Sequence, residues 1–130
     1  MQIKGEAMSS LLYIEDDSLN WEIVNMFLKG RFLVDTVADS SEALKKIESN
    51  SYSAILLDIS LRKGISGLEL AHEIRKVKNY DSVPIIAVTA LAFREDEKRI
   101  LNSACTHYIA KPFTKSTLLE TLKKALPQQH

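Results

Sequence analysis

Acidic side chains stand where a short apolar run gives out: Leu11-Leu12-Tyr13-Ile14 is followed at once by Glu15, Asp16 and Asp17. The same break recurs along the chain. Ala54-Ile55-Leu56-Leu57 runs into Asp58, Ile85-Ile86-Ala87-Val88 into Thr89, and Tyr108-Ile109-Ala110 into Lys111-Pro112. If these runs are neighbouring strands, their ends bring carboxylates, a hydroxyl and an ammonium to one place. Carboxylates crowded within a few ångströms repel each other unless something positive sits among them. A hard dication answers that need, and magnesium is usually held by one or two carboxylates, waters and phosphate oxygens. Lys111 neutralises charge that the metal does not, and the Thr89 hydroxyl is suited to a phosphoryl oxygen. A carboxylate nucleophile, a metal and a lysine are the parts needed for transfer of a phosphoryl group onto an aspartate, where positioning and charge neutralisation do most of the catalysis.

The elements that must position these groups follow from periodicity. Short aliphatic runs alternate with longer segments of helical spacing, the pattern of βαβ units around a parallel sheet. The strands are expected at Leu11–Ile14, Phe32–Val37, Ala54–Leu57, Pro84–Val88 and Tyr108–Ala110, and the helices at Ser18–Lys29, Ser41–Ser49, Leu68–Lys78, Glu95–Ser103 and Lys115–Leu126. The third and fourth runs lack polar alternation, as expected of central strands covered on both faces. Asp39 followed by Glu42 reads as a capping box, Gly30 as a stop after the first helix and Pro127 as a stop after the last. In such a sheet, ligands bind at the carboxyl ends of the strands, where the polar residues stand.

The bulk numbers bound the options. With 130 residues and 45% hydrophobic content, the chain suits one domain with its own core. Residues 1–10 read as a leader or expression remnant, 11–126 as the domain and 127–130 as a tail. Seventeen basic and seventeen acidic residues cancel, so no global field draws nucleic acid or an anionic membrane. No run approaches the roughly 20 apolar residues of a membrane span. The lone Cys105 allows no internal disulfide and points to a reducing, cytoplasmic setting. His72, His107 and His130 have no metal-type spacing. Asp17 is read as a helix cap or outer group rather than a ligand.

Jointly, Leu12-Tyr13-Ile14-Glu15-Asp16-Asp17, Leu56-Leu57-Asp58-Ile59, Pro84 to Ala90 and Tyr108 to Phe113 resemble the receiver domain of two-component response regulators, from about Leu11 to Leu126. The resemblance implies a flavodoxin-like (βα)5 fold, a doubly wound parallel five-stranded sheet in the order 2-1-3-4-5. It implies that Asp58 accepts the phosphoryl group of a phosphohistidine on a sensor histidine kinase or histidine phosphotransfer domain. By the same likeness Asp16 is a direct ligand of Mg2+, Glu15 acts largely through water, and the Ser60 carbonyl is a further ligand. Thr89 and Tyr108 resemble a coupled switching pair, Lys111 the ion-pair partner of the phosphoryl group, and Lys111-Pro112 a cis bond. The output implied is an altered face on the fourth helix, fifth strand and fifth helix, which binds a protein target or, as a phosphorylation-dependent homodimer, itself.

Departures from the pattern are local. Glu15 stands where aspartate is commoner, and the loop Leu61 to Gly67 lacks the usual proline and is one residue longer, with Arg62 and Lys63 adding positive charge. Ser60 and Leu91, two residues beyond Asp58 and Thr89, resemble positions that tune loss of the phosphoryl group, and an apolar Leu91 implies slow self-dephosphorylation. Three other readings compete. An aspartate-nucleophile phosphatase or phosphotransferase would carry a second acid two positions after the nucleophile, where Ser60 stands. A flavin-binding domain would need a phosphate loop after the first strand, where acids stand instead. A receiver-like module that takes no phosphate would be expected to have lost one of the principal groups.

Overall fold

The computed structural model describes residues 8–61, 63–90, 94–101 and 103–127, with backbone alone for 94–97. Strands and helices alternate without interruption: β1 (Ser10–Ile14), α1 (Ser18–Leu28), β2 (Leu33–Val37), α2 (Ser40–Ser49), β3 (Ala54–Asp58), α3 (Gly67–Arg75), β4 (Ile85–Thr89), α4 (Arg94–Leu101), β5 (His107–Ala110) and α5 (Lys115–Ala125). All four strand pairings are parallel and the order is β2-β1-β3-β4-β5, as expected. Side chains on successive strand residues point to opposite faces, so each strand feeds two cores. Leu11, Tyr13, Ala54, Leu56, Ile86, Val88 and Ile109 meet Val24 and Leu28 of α1 and Leu118 and Leu122 of α5. Leu12, Ile14, Ile55, Leu57, Ile85 and Ala87 meet Ala43 and Ile47 of α2, Leu70, Ala71 and Ile74 of α3 and Ile100 of α4. β3 and β4 are buried at every residue, which is why they read as unbroken apolar runs.

Helix starts are fixed by local chemistry. Asp17 caps α1, its carboxylate accepting the Leu19 N–H at 3.0 Å, and Asp39 caps α2 by accepting from Glu42 at 2.9 Å. The reciprocal capping box lies at α3, where Ser66 and Glu69 each bond the other's backbone N–H. That box sits directly beneath the site. A Cβ on Gly67 would lie 2.7 Å from Ile59 Cα and 2.9 Å from the Asp58 carbonyl oxygen, so only glycine lets α3 begin this close to the end of β3. Gly30 follows α1 with φ +81°, the left-handed turn anticipated for a stop.

Most element ends differ from expectation by one to three residues. The helix expected through Lys78 ends at Arg75, and Asn79 turns the chain with φ 74°. Arg75 explains the early stop: its guanidinium donates to the Tyr80 carbonyl at 2.9 Å, to Val83 at 2.5 Å and twice to Ala104, pinning two loops against the helix end. Pro84 lies outside β4, although its carbonyl still accepts the Ile55 N–H at 2.9 Å. His107 opens β5 rather than preceding it. No described helix is long and apolar enough to cross a membrane.

Among the described residues every buried polar side-chain atom has a hydrogen-bond partner, and one set of groups responds to pH. Tyr52 Oη donates to Asp35 Oδ2 at 2.6 Å, and Tyr80 Oη accepts the Tyr52 N–H at 3.0 Å while donating to the Asn50 carbonyl. Burial, then the bond to Asp35, pushes the Tyr52 hydroxyl above its ordinary value of 10.0, and burial pushes the Cys105 thiol above 9.0. The folded chain therefore holds these protons more tightly than the unfolded chain. Their contribution is complete below pH about 9 and is lost as pH rises beyond it, so the denaturation midpoint should fall between about pH 9 and 11 while staying flat from about pH 7 to 8.5. Tyr52→Phe should flatten part of that decline.

Candidate functional site

The strand register builds the site at the carboxyl edge of the sheet. Ile14 pairs with Leu57, which sets Glu15 beside Asp58 one step further on, and the Glu15 N–H donates to the Val37 carbonyl at 3.0 Å. Thr89 pairs with Ala110, and the Lys111 N–H donates to the Thr89 carbonyl at 2.7 Å. Alternation matters as much as register. Glu15 follows Tyr13, Asp58 follows Leu56 and Lys111 follows Ile109 at a spacing of two, so all three continue the side of the sheet covered by α1 and α5. Thr89 follows Ala87 and belongs to the opposite side, together with Tyr108.

Carboxylate oxygens of Glu15, Asp16 and Asp58 lie within 4.8 Å of one another. Glu15 is 1% and Asp58 2% exposed, so water does little to screen their repulsion. The Lys111 ammonium lies between them, 2.7 Å from Glu15 Oε1 and 3.4 Å from Asp58 Oδ2. Ser60 steadies the other Asp58 oxygen, its N–H and its hydroxyl reaching Oδ1 at 2.9 and 2.8 Å. The Lys111-Pro112 peptide is cis.

Protonation follows from this crowding. Burial raises the Glu15 carboxyl above its ordinary range, and a carboxyl hydrogen bond with Asp58 adds to the rise, against the pull of Lys111. Burial acts the same way on Asp58, but the bond with Glu15, the two Ser60 donors and the Lys111 charge outweigh it and hold Asp58 below its ordinary range. Asp58 is thus the member of the pair kept ionised. Burial opposes charge on Lys111 too, and its contacts with Glu15 and Asp58 overcome this and raise it.

An oxygen-only cluster of this kind fits a small dication. Oxygen donors gathered within 4.8 Å suit a hard cation that would take its remaining ligands from water. Asp16 is half-buried, and Asp17 is the α1 cap already described. On the far side of Asp58, Thr89 is 2% exposed and lines a cavity of about 430 Å³ with Ile59, Ser60, Leu68 and Arg99. Tyr108 is half-buried against the α2, α3 and α4 core, on the same side of the sheet as Thr89 and two positions before its paired residue. Leu91 and Arg62 lie outside the described residues.

Three side chains, those of Tyr13, Asn20 and Trp21, were not anticipated as site neighbours, whereas Asp17 was already read as an outer group. Tyr13 Oη and Asn20 Nδ2 both donate to Glu15 Oε1 at 3.1 Å, Trp21 Nε1 donates to the Glu15 carbonyl at 2.6 Å, and the Asp17 N–H reaches Glu15 Oε2 at 3.3 Å. A signal existed for Tyr13, which precedes Glu15 by two and must share its side of the strand.

The family model for the response regulator receiver domain matches residues 11–123. The polar-differentiation response regulator DivK of Brucella ovis is 33% identical over 119 residues, covering 90% of this chain and 95% of that protein. The regulatory protein VanRB of Enterococcus faecalis is 34% identical over 117 residues, 89% of this chain but 51% of that longer protein. Among solved structures, the receiver domain of the sensor histidine kinase PA1611 from Pseudomonas aeruginosa, with a magnesium ion coordinated in its active site cleft, superposes with a TM-score of 0.83 at 33% identity, covering 92% of this chain and 98% of that one. The chemotaxis protein CheY4 of Vibrio cholerae gives 0.86 at 28% identity, covering 92% and 100%. A family match over residues 11–123, together with relatives and structures that align along nearly the whole chain, makes this protein a member of the response regulator receiver domain family, the phosphoacceptor switches of two-component signalling.

Proposed function

We propose that Asp58 is the phosphoacceptor of this receiver, charged from a phosphohistidine on a sensor histidine kinase or histidine phosphotransfer domain. The observation that carries the reading is the convergence of Asp58, Glu15 and Asp16 within 4.8 Å, with Lys111 in contact with two of them. A divalent metal ion, Mg2+, would be held by Asp16, Asp58 and the Ser60 carbonyl, with Glu15 acting largely through water. When bound, it supplies positive charge to the phosphoryl oxygens during transfer.

The chain's own residues do the rest. Asp58, held ionised, attacks phosphorus, the P–N bond to the imidazole breaks, and its electron pair leaves with the donor histidine. Lys111, already beside Asp58 Oδ2, follows the charge onto the phosphoryl group and exchanges part of its pairing with Glu15 for it. Thr89, buried one step from the Asp58 register, turns its hydroxyl to a phosphoryl oxygen. Tyr108, on the same side of the sheet, takes the room that this movement vacates, and the face of α4, β5 and α5 changes for a protein target or a second copy. The domain thereby promotes its own phosphorylation and its own dephosphorylation, without a separate small substrate.

The donor needs a surface from which to reach Asp58. Leu19, Ile23 and Met26 of α1 are 60%, 38% and 73% exposed, and their spacing of four and three places them on one stripe that begins beside the acidic cluster. A donor seated there brings a phosphohistidine over the sheet edge. Leu19→Asp should slow phosphotransfer from a purified histidine phosphodonor by about 10-fold or more, the cost of a charge within an apolar contact. Phosphorylation by acetyl phosphate, which needs no docking, should change by less than about two-fold. Equal loss with both donors would remove the α1 stripe from the reading.

A further inference from the structure

Glu15 accepts hydrogen bonds on both carboxylate oxygens, and three of the four fall on Oε1. Oε1 accepts from Tyr13 Oη at 3.1 Å, Asn20 Nδ2 at 3.1 Å and Lys111 Nζ at 2.7 Å. Oε2 receives the Asp17 N–H at the longer distance of 3.3 Å. A carboxylate oxygen offers about two lone-pair sites, so three donors saturate Oε1 and fix the plane of the group. The carbonyl of the same residue is anchored by Trp21 Nε1 at 2.6 Å.

We infer that Tyr13 and Asn20 are positioning residues of the acidic cluster: they commit Glu15 Oε1 to hydrogen bonds, leave Oε2 to face a divalent cation or its waters, and thereby set the site's affinity for that cation. This deepens the reading of the cluster as a cation site and rests on it. Two features of the chain favour it. Tyr13 is 0% exposed in a strand whose other residues from Leu11 to Ile14 are aliphatic, and a buried hydroxyl is costly unless bonded, so a leucine or valine would serve packing alone at least as well. Glutamate, moreover, has one more rotatable bond than aspartate, and a longer arm gains more from being held. The tyrosine and the asparagine remove the freedom that the extra methylene introduces.

The chain's single tryptophan makes the inference measurable without any phosphorylation assay, because Trp21 is bonded to Glu15 itself and should report cation binding through its fluorescence. The full chain would be titrated with magnesium chloride, alongside Tyr13→Phe and Asn20→Ala. Loss of one hydrogen bond to a charged group predicts a half-saturating Mg2+ concentration raised by about 10-fold or more in each variant, with the half-saturation of phosphoryl uptake moving by the same factor. A purely structural role would lower the unfolding midpoint of Tyr13→Phe and leave the magnesium curve in place, which would overturn the inference. Tighter binding in either variant would overturn it as well. Should Tyr13→Phe fail to fold, Asn20→Ala, whose side chain is partly exposed, decides the matter alone. If the unaltered chain shows no saturable response, the cation reading itself falls; if it responds and both variants match it, that reading stands and the positioning role alone is refuted.

Discussion

Asp58→Asn is expected to take up no measurable phosphoryl group, a loss on the order of 100-fold or more, while keeping the native fold. The amide is nearly isosteric, and its oxygen still accepts the Ser60 N–H and hydroxyl that now reach Asp58 Oδ1 at 2.9 and 2.8 Å. What it loses is the charge that makes the group a nucleophile. The same change removes one of three carboxylates that lie within 4.8 Å of each other, and Lys111 keeps its 2.7 Å contact with Glu15. Stability in the absence of metal should therefore be unchanged or higher, and the response to Mg2+ weaker. Acetyl phosphate labelling and urea unfolding of the same preparation check both halves. Phosphoryl uptake that persisted in the folded variant would place the acceptor elsewhere.

The second large effect concerns the ammonium group. Lys111→Met keeps the apolar stem but leaves Glu15 and Asp58 buried without their cation, and breaking such a pair from one side costs about 3–5 kcal/mol when fully enclosed. The lysine side chain is 23% exposed, so solvent screening lowers this to about 2–3 kcal/mol. A dication replaces the missing charge. At 100 times its dissociation constant a ligand adds about 2.7 kcal/mol to folding, so Mg2+ should recover most of the loss, and should stabilise this variant more than the unaltered chain. Denaturant midpoints for the two proteins with and without Mg2+ form the test. A deficit that metal leaves untouched would mean that Lys111 acts by packing rather than by charge.

Much of this architecture was legible because its physics is periodic. Unbroken aliphatic runs marked β3 and β4 as central, and the polar residues that end each run fell at the carboxyl edge because a parallel sheet puts all such ends together. Register and alternation then sort these groups in a way that the order of motifs does not reveal: Glu15, Asp58 and Lys111 continue one side of the sheet, and Thr89 and Tyr108 the other. Other features had weaker signals. Lys76-Val77-Lys78 continues the helical spacing with no breaker, and α3 ends at Arg75, whose side chain bonds the Tyr80 carbonyl just downstream and the Ala104 carbonyl of a distant loop, the latter a tertiary contact that no local pattern carries. Ser66-Gly67-Leu68-Glu69 has the ordinary spacing of a capping box, and it sets the start of α3 at Gly67, one residue before the start expected at Leu68. Tyr13 reads as one more apolar strand residue, and the role of its hydroxyl emerges only when Glu15 is folded against it.

The central claim is that charges from separate strand ends converge to make Asp58 a metal-dependent phosphoacceptor, and intact-mass measurement after incubation with acetyl phosphate tests it most directly. With Mg2+ present the chain should gain one phosphoryl group that peptide mapping assigns to Asp58, and a chelator should abolish the gain. A modification elsewhere, or equal uptake with the metal removed, would contradict the account.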